Sequence, residues 1–339
     1  MRSLILKALR PLVSRPDQTT EVAAVAVQAA SRVVEVIERG AARLYRSSER
    51  ARVRGIAHPI FDSVARRVLW LSGTPIWKTH ERSPEQTIIL TRILRAVRTT
   101  ERPVIVIDLD DTLFSTQFKN VAIYREYGRK QGVPLMEMIG PEHLASWNKE
   151  TVLIDNLGLD RGWFQKHVDE FELFWGERFF TDDYLIYDPP FPGAADYLRK
   201  LHGAGVHIVY LSGRPEMRMK TGTIRALRRH HFPGPDEERV TLMLKTPEFD
   251  PVFQAKMPAR ERVQKAGRSD VAFKEWAVQQ IRGLGSVVAC IDNEPANINL
   301  LRDRLFPNGE GLAVWVATAM ARPDIIPDPR VLIIHGFLL

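Results

Sequence analysis

Five short apolar runs, alternating with helix-like stretches, restrict what this chain can fold into more than any other feature. They are Val104–Ile107, Val206–Leu211, Val240–Leu244, Val287–Ile291 and Leu312–Ala317. Consecutive apolar residues suit strands covered on both faces. Helical patterns such as Gly193–His202 and Val271–Arg282 lie between them. Strict alternation of that kind predicts an α/β fold with a parallel sheet and helices packed on it.

The first run carries the chemistry. Val104-Ile-Val-Ile107 leads into Asp108-Leu-Asp110-Asp111-Thr112. Open α/β sheets bind ligands at the carboxyl ends of their strands. Two carboxylates crowded there repel each other unless a proton or a cation relieves them. Hard oxygen donors of this type suit Mg²⁺ acting on a phosphate; a plain acidic turn is the simpler alternative.

About 75 residues, roughly 118–192, separate the first two strands, far more than an ordinary connection needs. Trp147, Trp163, Phe164, Phe171, Phe174, Trp175, Phe179 and Phe180 lie in it in helix-like surroundings. The expectation is a helical cap inserted beside the acidic turn, a lid over the site, its aromatics read first as its own core.

Three later segments fit the first. Ser212-Gly213-Arg214-Pro215 follows the second strand, placing a hydroxyl and a Gly N–H where a phosphate oxygen can be bound. Asp292 follows the fourth strand and adds a carboxylate for a metal. Between them Phe273-Lys274-Glu275-Trp276 opens an amphipathic helix, and Lys274 can neutralise a phosphoryl group.

This order of motifs, over about residues 103–320, resembles the haloacid dehalogenase superfamily in its phosphatase branch. The resemblance implies a Rossmann-like sheet with the cap inserted after the first motif. It implies a nucleophile at Asp108 and a general acid/base at Asp110, whose backbone carbonyl also ligates Mg²⁺. Ser212 and Gly213 would bind the phosphoryl group, Lys274 would take the third-motif position, and Asp292 the fourth. Lys245, Lys256 and Lys265 compete with Lys274. The metal set is thus expected at Asp108, Asp110 and Asp292. The sequence departs from the pattern twice. Asn293 and Asn297 stand where a second acid is usual, with Glu294 at unusual spacing, and Asp111 replaces a glycine. An acid at Asp110 separates phosphatases and phosphomutases from the dehalogenases and transport ATPases of the same superfamily.

Charge sets the N-terminal third apart. Residues 1–102 hold 19 Lys/Arg against 9 Asp/Glu, and the remainder 29 against 32, so the net charge of +7 belongs to the first segment. Val22, Val25, Ala29, Val33, Val36, Ile37, Ala41 and Leu44 recur there at helical spacing. A basic helical extension over 1–102, ending in a helix at about Pro84–Val97, is expected before a hydrolase domain over 103–339. It can hold nucleic acid or an anionic membrane, or be a solvated helical surface. No apolar run reaches the roughly 18 residues of a membrane span. The Arg-rich start weakly resembles a transit peptide and lacks the apolar core of a secretory signal. One cysteine, Cys290, in an apolar run points to a reducing, cytoplasmic setting.

The leading expectation is a Mg²⁺-dependent phosphomonoester hydrolase acting through an aspartyl-phosphate on a small phosphorylated metabolite. A nucleic-acid-end phosphatase, a phosphomutase and a partner-docking protein with a phosphatase-like domain stay open. Arg214 and Arg218 read as surface salt-bridging residues at least as readily as substrate contacts.

Overall fold

The computed structural model describes residues 84–144, 148–250, 259–317 and 325–339, with isolated helical positions at 36, 37, 40, 41, 43, 44 and 68. Most of the expected N-terminal helices, and Lys256, lie outside the described residues. Two compact units form, Met1–Thr79 and His80–Leu339. In the first, positions 36, 37, 41 and 44 are helical as the spacing requires. Ala41 is buried, but Val36, assigned to the same apolar face, is 63% exposed.

The second unit is α/β, built on six parallel strands in the order β3-β2-β1-β4-β5-β6. These are β1 Pro103–Ile107, β2 His207–Pro215, β3 Val240–Lys245, β4 Ser286–Asp292, β5 Leu312–Val316 and β6 Leu332–Ile334. The expected parallel, Rossmann-like sheet is present. The sixth strand has no counterpart among the five sequence runs; three residues at a sheet edge are too few to establish a period. β1 is fully buried between β2 and β4. From β1 the chain builds β2 and β3 on one side, then returns to build β4, β5 and β6 on the other. The strand order therefore reverses between β1 and β4, the place where open α/β sheets bind ligands.

Helices cover the sheet. α1, Pro84–Thr99, buries Gln86, Ile89, Leu90, Ile93 and Val97, one face at helical spacing. Ile89, Leu90, Ile93 and Val97 join the sheet core with Ile105, Ile107, Leu198 and Val314. Tyr197 donates its hydroxyl to the Leu90 carbonyl at 2.9 Å. The expected boundary at 102 thus falls inside the second unit, because α1 spends its apolar face on the sheet.

The insertion between β1 and β2 contains α2 Gln117–Gln131, the short α3 Pro134–Glu137, a π-helical turn Thr151–Asn156, α4 Arg161–Phe179 and a 3-10 helix Asp182–Tyr187. Asp160 caps α4 by accepting from Trp163 N at 2.7 Å. Its own apolar cluster includes Tyr124, Tyr127, Leu153, Phe164, Phe171 and Phe174. Tyr127 packs on Phe171 and Phe174 with both ring centroids at 5.0 Å. Part of the aromatic content is therefore core, as its composition suggested.

α5 Ala194–Gly203, α6 Glu216–Arg229, α7 Ala259–Arg282 and α8 Pro295–Leu305 complete the unit. α7 begins well before Phe273, so Lys274 lies inside a helix and does not open one. Gly267 and Ser269, poor helix formers, hide its first half in the sequence.

Candidate active site

Asp108 leaves β1 at the reversal of strand order, its N–H donating to the Ile291 carbonyl of β4 at 3.0 Å. That bond keeps the two strand ends together. Asp292, the last residue of β4, is fully buried. α7 brings Lys274 between the two carboxyls, its Nζ 3.0 Å from Asp108 Oδ1 and 2.6 Å from Asp292 Oδ2. Lys274 is itself buried, and its two carboxylate partners hold its ammonium above the ordinary lysine range although burial alone would lower it. Among the lysines weighed for this position, Lys245 instead pairs with Asp270 at 2.7 Å. The side chain of Lys265 lies outside the described residues, as does all of Lys256.

Burial pushes the Asp108 carboxyl above the usual carboxylate range; Lys274 opposes the rise, while Asp292 and Asp110 add to it. Thr112 stands beside it. Its Oγ1 accepts from Asn293 N at 3.0 Å and lies 3.3 Å from Asp108 Oδ2 and 3.2 Å from Asn293 Oδ1. Trp315 Nε1 in turn donates to the Asn293 carbonyl at 2.6 Å. Asp292 Oδ1 accepts from Glu294 N at 2.8 Å and sits 3.5 Å from Asn297 Nδ2. The two asparagines in place of a second acid thus brace Thr112 and Asp292.

Asp110 faces a different cation. Arg214 donates Nε to its Oδ2 at 2.9 Å and Nη2 to its Oδ1 at 2.6 Å. Burial favours the neutral acid, but Arg214 and then Lys119 outweigh it and hold Asp110 well below the usual range. The Arg214 side chain is fully buried, and Asp110 keeps 24% exposure toward the cavity. Arg214 is therefore not a surface residue, a correction to its sequence reading. Arg218 does make an ion pair, 2.9 Å from Asp250 Oδ2.

β2 runs through Ser212-Gly213-Arg214 to Pro215, with a register irregularity against β3 between Ser212 and Pro215. These residues belong to the strand, which was expected to end at Leu211. The irregularity lets Ser212, Gly213 and Arg214 all serve the site. Ser212 Oγ lies 3.4 Å from Arg214 N as an acceptor, leaving its own O–H free to donate. A Cβ at Gly213 would come within 2.9 Å of Asp270 Oδ1.

A cavity of about 160 Å³ opens over these groups. Asp108, Asp110, Ser212, Gly213, Lys274 and Asn293 line one side, and Trp175, Phe179 and Phe180 from the insertion line another. Asp292, fully buried, touches the site through Lys274. The insertion thus contributes three aromatics to the cavity wall as well as filling its own core.

Among the described residues, no three His, Cys, Asp or Glu side chains are grouped as a ready metal site. The donors nevertheless fit a hard divalent cation. Five buried or half-buried carboxyls (Asp108, Asp110, Asp111, Asp188 and Asp292) surround three buried cations, Lys119, Arg214 and Lys274.

No family model and no curated protein matches the chain. Among solved structures it is similar to the class C acid phosphatase from Bacillus anthracis. The identity is 15% and the TM-score 0.33, over 68% of this chain and 71% of that one. The described residues contain no helix long and apolar enough to cross a membrane.

Proposed function

We propose that this protein is a Mg²⁺-dependent phosphomonoester hydrolase of the haloacid dehalogenase type, acting on small phosphorylated molecules through an aspartyl-phosphate. The observation that carries the reading is the pairing of two carboxylates with two separate cations at the reversal of strand order. Asp108 is bridged by Lys274 to Asp292, and Asp110 is held by Arg214. Neighbouring acids in such different surroundings suit a nucleophile and a proton carrier.

In the first half-reaction an Asp108 oxygen bonds to phosphorus. The bond from phosphorus to the leaving oxygen breaks with its electron pair, and Asp110 supplies the proton to that oxygen. In the second, Asp110 takes a proton from water, the water oxygen bonds to phosphorus, and the Asp108–phosphorus link breaks. Lys274, the Ser212 hydroxyl and the Gly213 N–H neutralise and orient the phosphoryl oxygens. Asp108, Asp292 and the Asp110 main-chain carbonyl would hold Mg²⁺. When bound it supplies charge neutralisation for the phosphoryl group and keeps the crowded carboxylates ionised.

A cavity of about 160 Å³ beneath Trp175, Phe179 and Phe180 suits a small phosphate ester. The test is phosphate release from phosphorylated metabolites and from 5′- and 3′-phosphorylated oligonucleotides, with and without Mg²⁺. Wild type is expected to release phosphate from metabolites only with the metal, and Asp108→Asn to release none. Preference for oligonucleotides would move the reading to nucleic-acid ends. Release from Asp108→Asn at the wild-type rate would remove Asp108 as nucleophile.

A further inference from the structure

The clasp on Asp110 does not stand alone. Arg214 Nη2, which holds Asp110 Oδ1, also reaches Asp188 Oδ2 at 3.2 Å, and Nη1 donates to Thr223 Oγ1 of α6 at 3.2 Å. Asp188 follows the 3-10 helix that ends the insertion, and Lys119 lies on α2, which begins it. Lys119 Nζ sits 2.9 Å from the same Asp188 oxygen and 3.6 Å from Asp110 Oδ1. Asp188 and the side chains of Lys119 and Arg214 are all fully buried.

One Asp188 oxygen therefore serves two cations, while the other, Oδ1, is buried and accepts no hydrogen bond. Carboxylates kept for packing alone normally satisfy both oxygens, since a buried orphan is costly. What offsets that cost here is the charge placed between Lys119 and Arg214. Remove it, and two buried cations face the single carboxylate of Asp110, repelling each other and competing for its oxygens. The Arg214 fork, whose planar geometry fixes the carboxylate, would then no longer set where Asp110 points.

We infer that Asp188 is a positioning residue for proton transfer: with Lys119 it fixes the Arg214 fork, and that fork aims Asp110 into the cavity from the base of the insertion. The inference rests on Asp110 as the proton carrier of the proposed hydrolase. It separates from a purely structural role by leaving group. An aryl phosphate such as p-nitrophenyl phosphate departs as a stable phenolate and needs little protonation, whereas an alkyl phosphate such as glycerol phosphate needs the proton.

The experiment compares kcat/KM, which reports phosphoryl transfer to Asp108 and not hydrolysis of the adduct, for those two substrates in wild type, Asp110→Asn, Asp188→Asn and the double variant Lys119→Met/Asp188→Asn, all with Mg²⁺. The double variant leaves no orphaned ammonium, and keeps the test open where the single one does not fold. Asp188→Asn and the double variant are expected to lose about 100-fold in kcat/KM on the alkyl ester. On the aryl ester kcat/KM should fall less than about threefold, because kcat/KM excludes the adduct hydrolysis that both esters share. Equal losses of kcat/KM on both esters, or an alkyl-to-aryl ratio of kcat/KM unchanged from wild type, would overturn the inference. If Asp110→Asn itself keeps the wild-type ratio, the failure belongs to the assignment of Asp110 and takes the inference with it. A selective loss in Asp110→Asn with none in either Asp188 variant overturns the inference alone.

Discussion

Arg214 meets Asp110 with two arms of its guanidinium, Nε at 2.9 Å from one carboxylate oxygen and Nη2 at 2.6 Å from the other. Lys274, in the same cavity, bridges Asp108 to Asp292. The two acids separated by one residue in the sequence are thus given different cations.

That division makes turnover depend on pH in a substrate-specific way. Arg214 and Lys119 outweigh burial and hold Asp110 well below the ordinary carboxylate value, so at neutral pH it is ionised. Its protonated fraction, the form that supplies a proton to the leaving group, rises as pH falls. The ratio of kcat/KM for alkyl to aryl phosphates should therefore increase on acidification from about pH 7 to about pH 5. Paired pH–rate profiles for the two substrates measure it. A ratio that is flat or falls toward acid contradicts the assignment.

Lys274→Met should be severe in two independent ways. It leaves two buried carboxylates without their shared cation, which costs about 3–5 kcal/mol in comparable buried pairs. It also removes a phosphoryl-neutralising group, for a loss of at least about 1,000-fold in turnover. Mg²⁺ should raise the melting temperature of the variant more than that of wild type, because the metal then meets a larger charge deficit. Thermal melts in chelator and in Mg²⁺ read this directly. An equal rise in both proteins would mean the metal is not bound at these carboxylates.

Asp111 stands at φ 52°, a left-handed conformation that Asp tolerates better than most residues. Its carboxylate accepts from Thr116 N at 2.9 Å and Thr116 Oγ1 at 2.7 Å. Burial still pushes it from 3.8 up to about 7. The folded state thus holds the proton more tightly than the unfolded one. This contribution to stability is complete below the unfolded value and is lost as pH rises through the folded one. Asp111→Asn does not titrate. The variant should gain on wild type in melting temperature between about pH 5 and about pH 8. A difference independent of pH would show that Asp111 is ionised throughout.

Trp175 joins cap to cavity. Its Nε1 donates to Asn120 Oδ1 at 2.7 Å, Phe179 stacks on it at 4.4 Å, and Lys149 Nζ lies 3.8 Å from its ring centroid. Trp175→Ala opens the apolar wall without touching the groups that face phosphorus. An increase of about tenfold in KM for aryl phosphates is expected, with kcat within about threefold. Loss confined to kcat would mean that Trp175 acts on the reacting groups and not on the leaving group's body.

The sheet was legible because buried parallel strands leave continuous apolar runs, and β1 to β5 each have one. Asp108, Asp110, Ser212 and Asp292 could be placed at or beside strand ends for the same reason; Lys274 was reached only through the order of motifs, with Lys245, Lys256 and Lys265 as rivals. Lys119, Asp188 and Arg214 could not be placed. Arg214 is 104 residues from Asp110, and Lys119 is 69 from Asp188. Ion pairs so distant in the chain leave no period, and an arginine after a strand looks solvent-bound until the fold buries it. Which cap aromatics face the cavity was equally hidden. Phe174 and Trp175 are adjacent on one helix, yet the first fills the cap core and the second lines the site.

The central claim is that Asp108 becomes covalently phosphorylated. Asp110→Asn, acid-quenched during turnover of an aryl phosphate with Mg²⁺, should accumulate the adduct because the hydrolytic half-reaction loses its base. Peptide mass spectrometry is expected to find one added phosphoryl group on Asp108, absent in Asp108→Asn/Asp110→Asn. Phosphate release by Asp110→Asn with no adduct on Asp108 at any quench time would contradict the account.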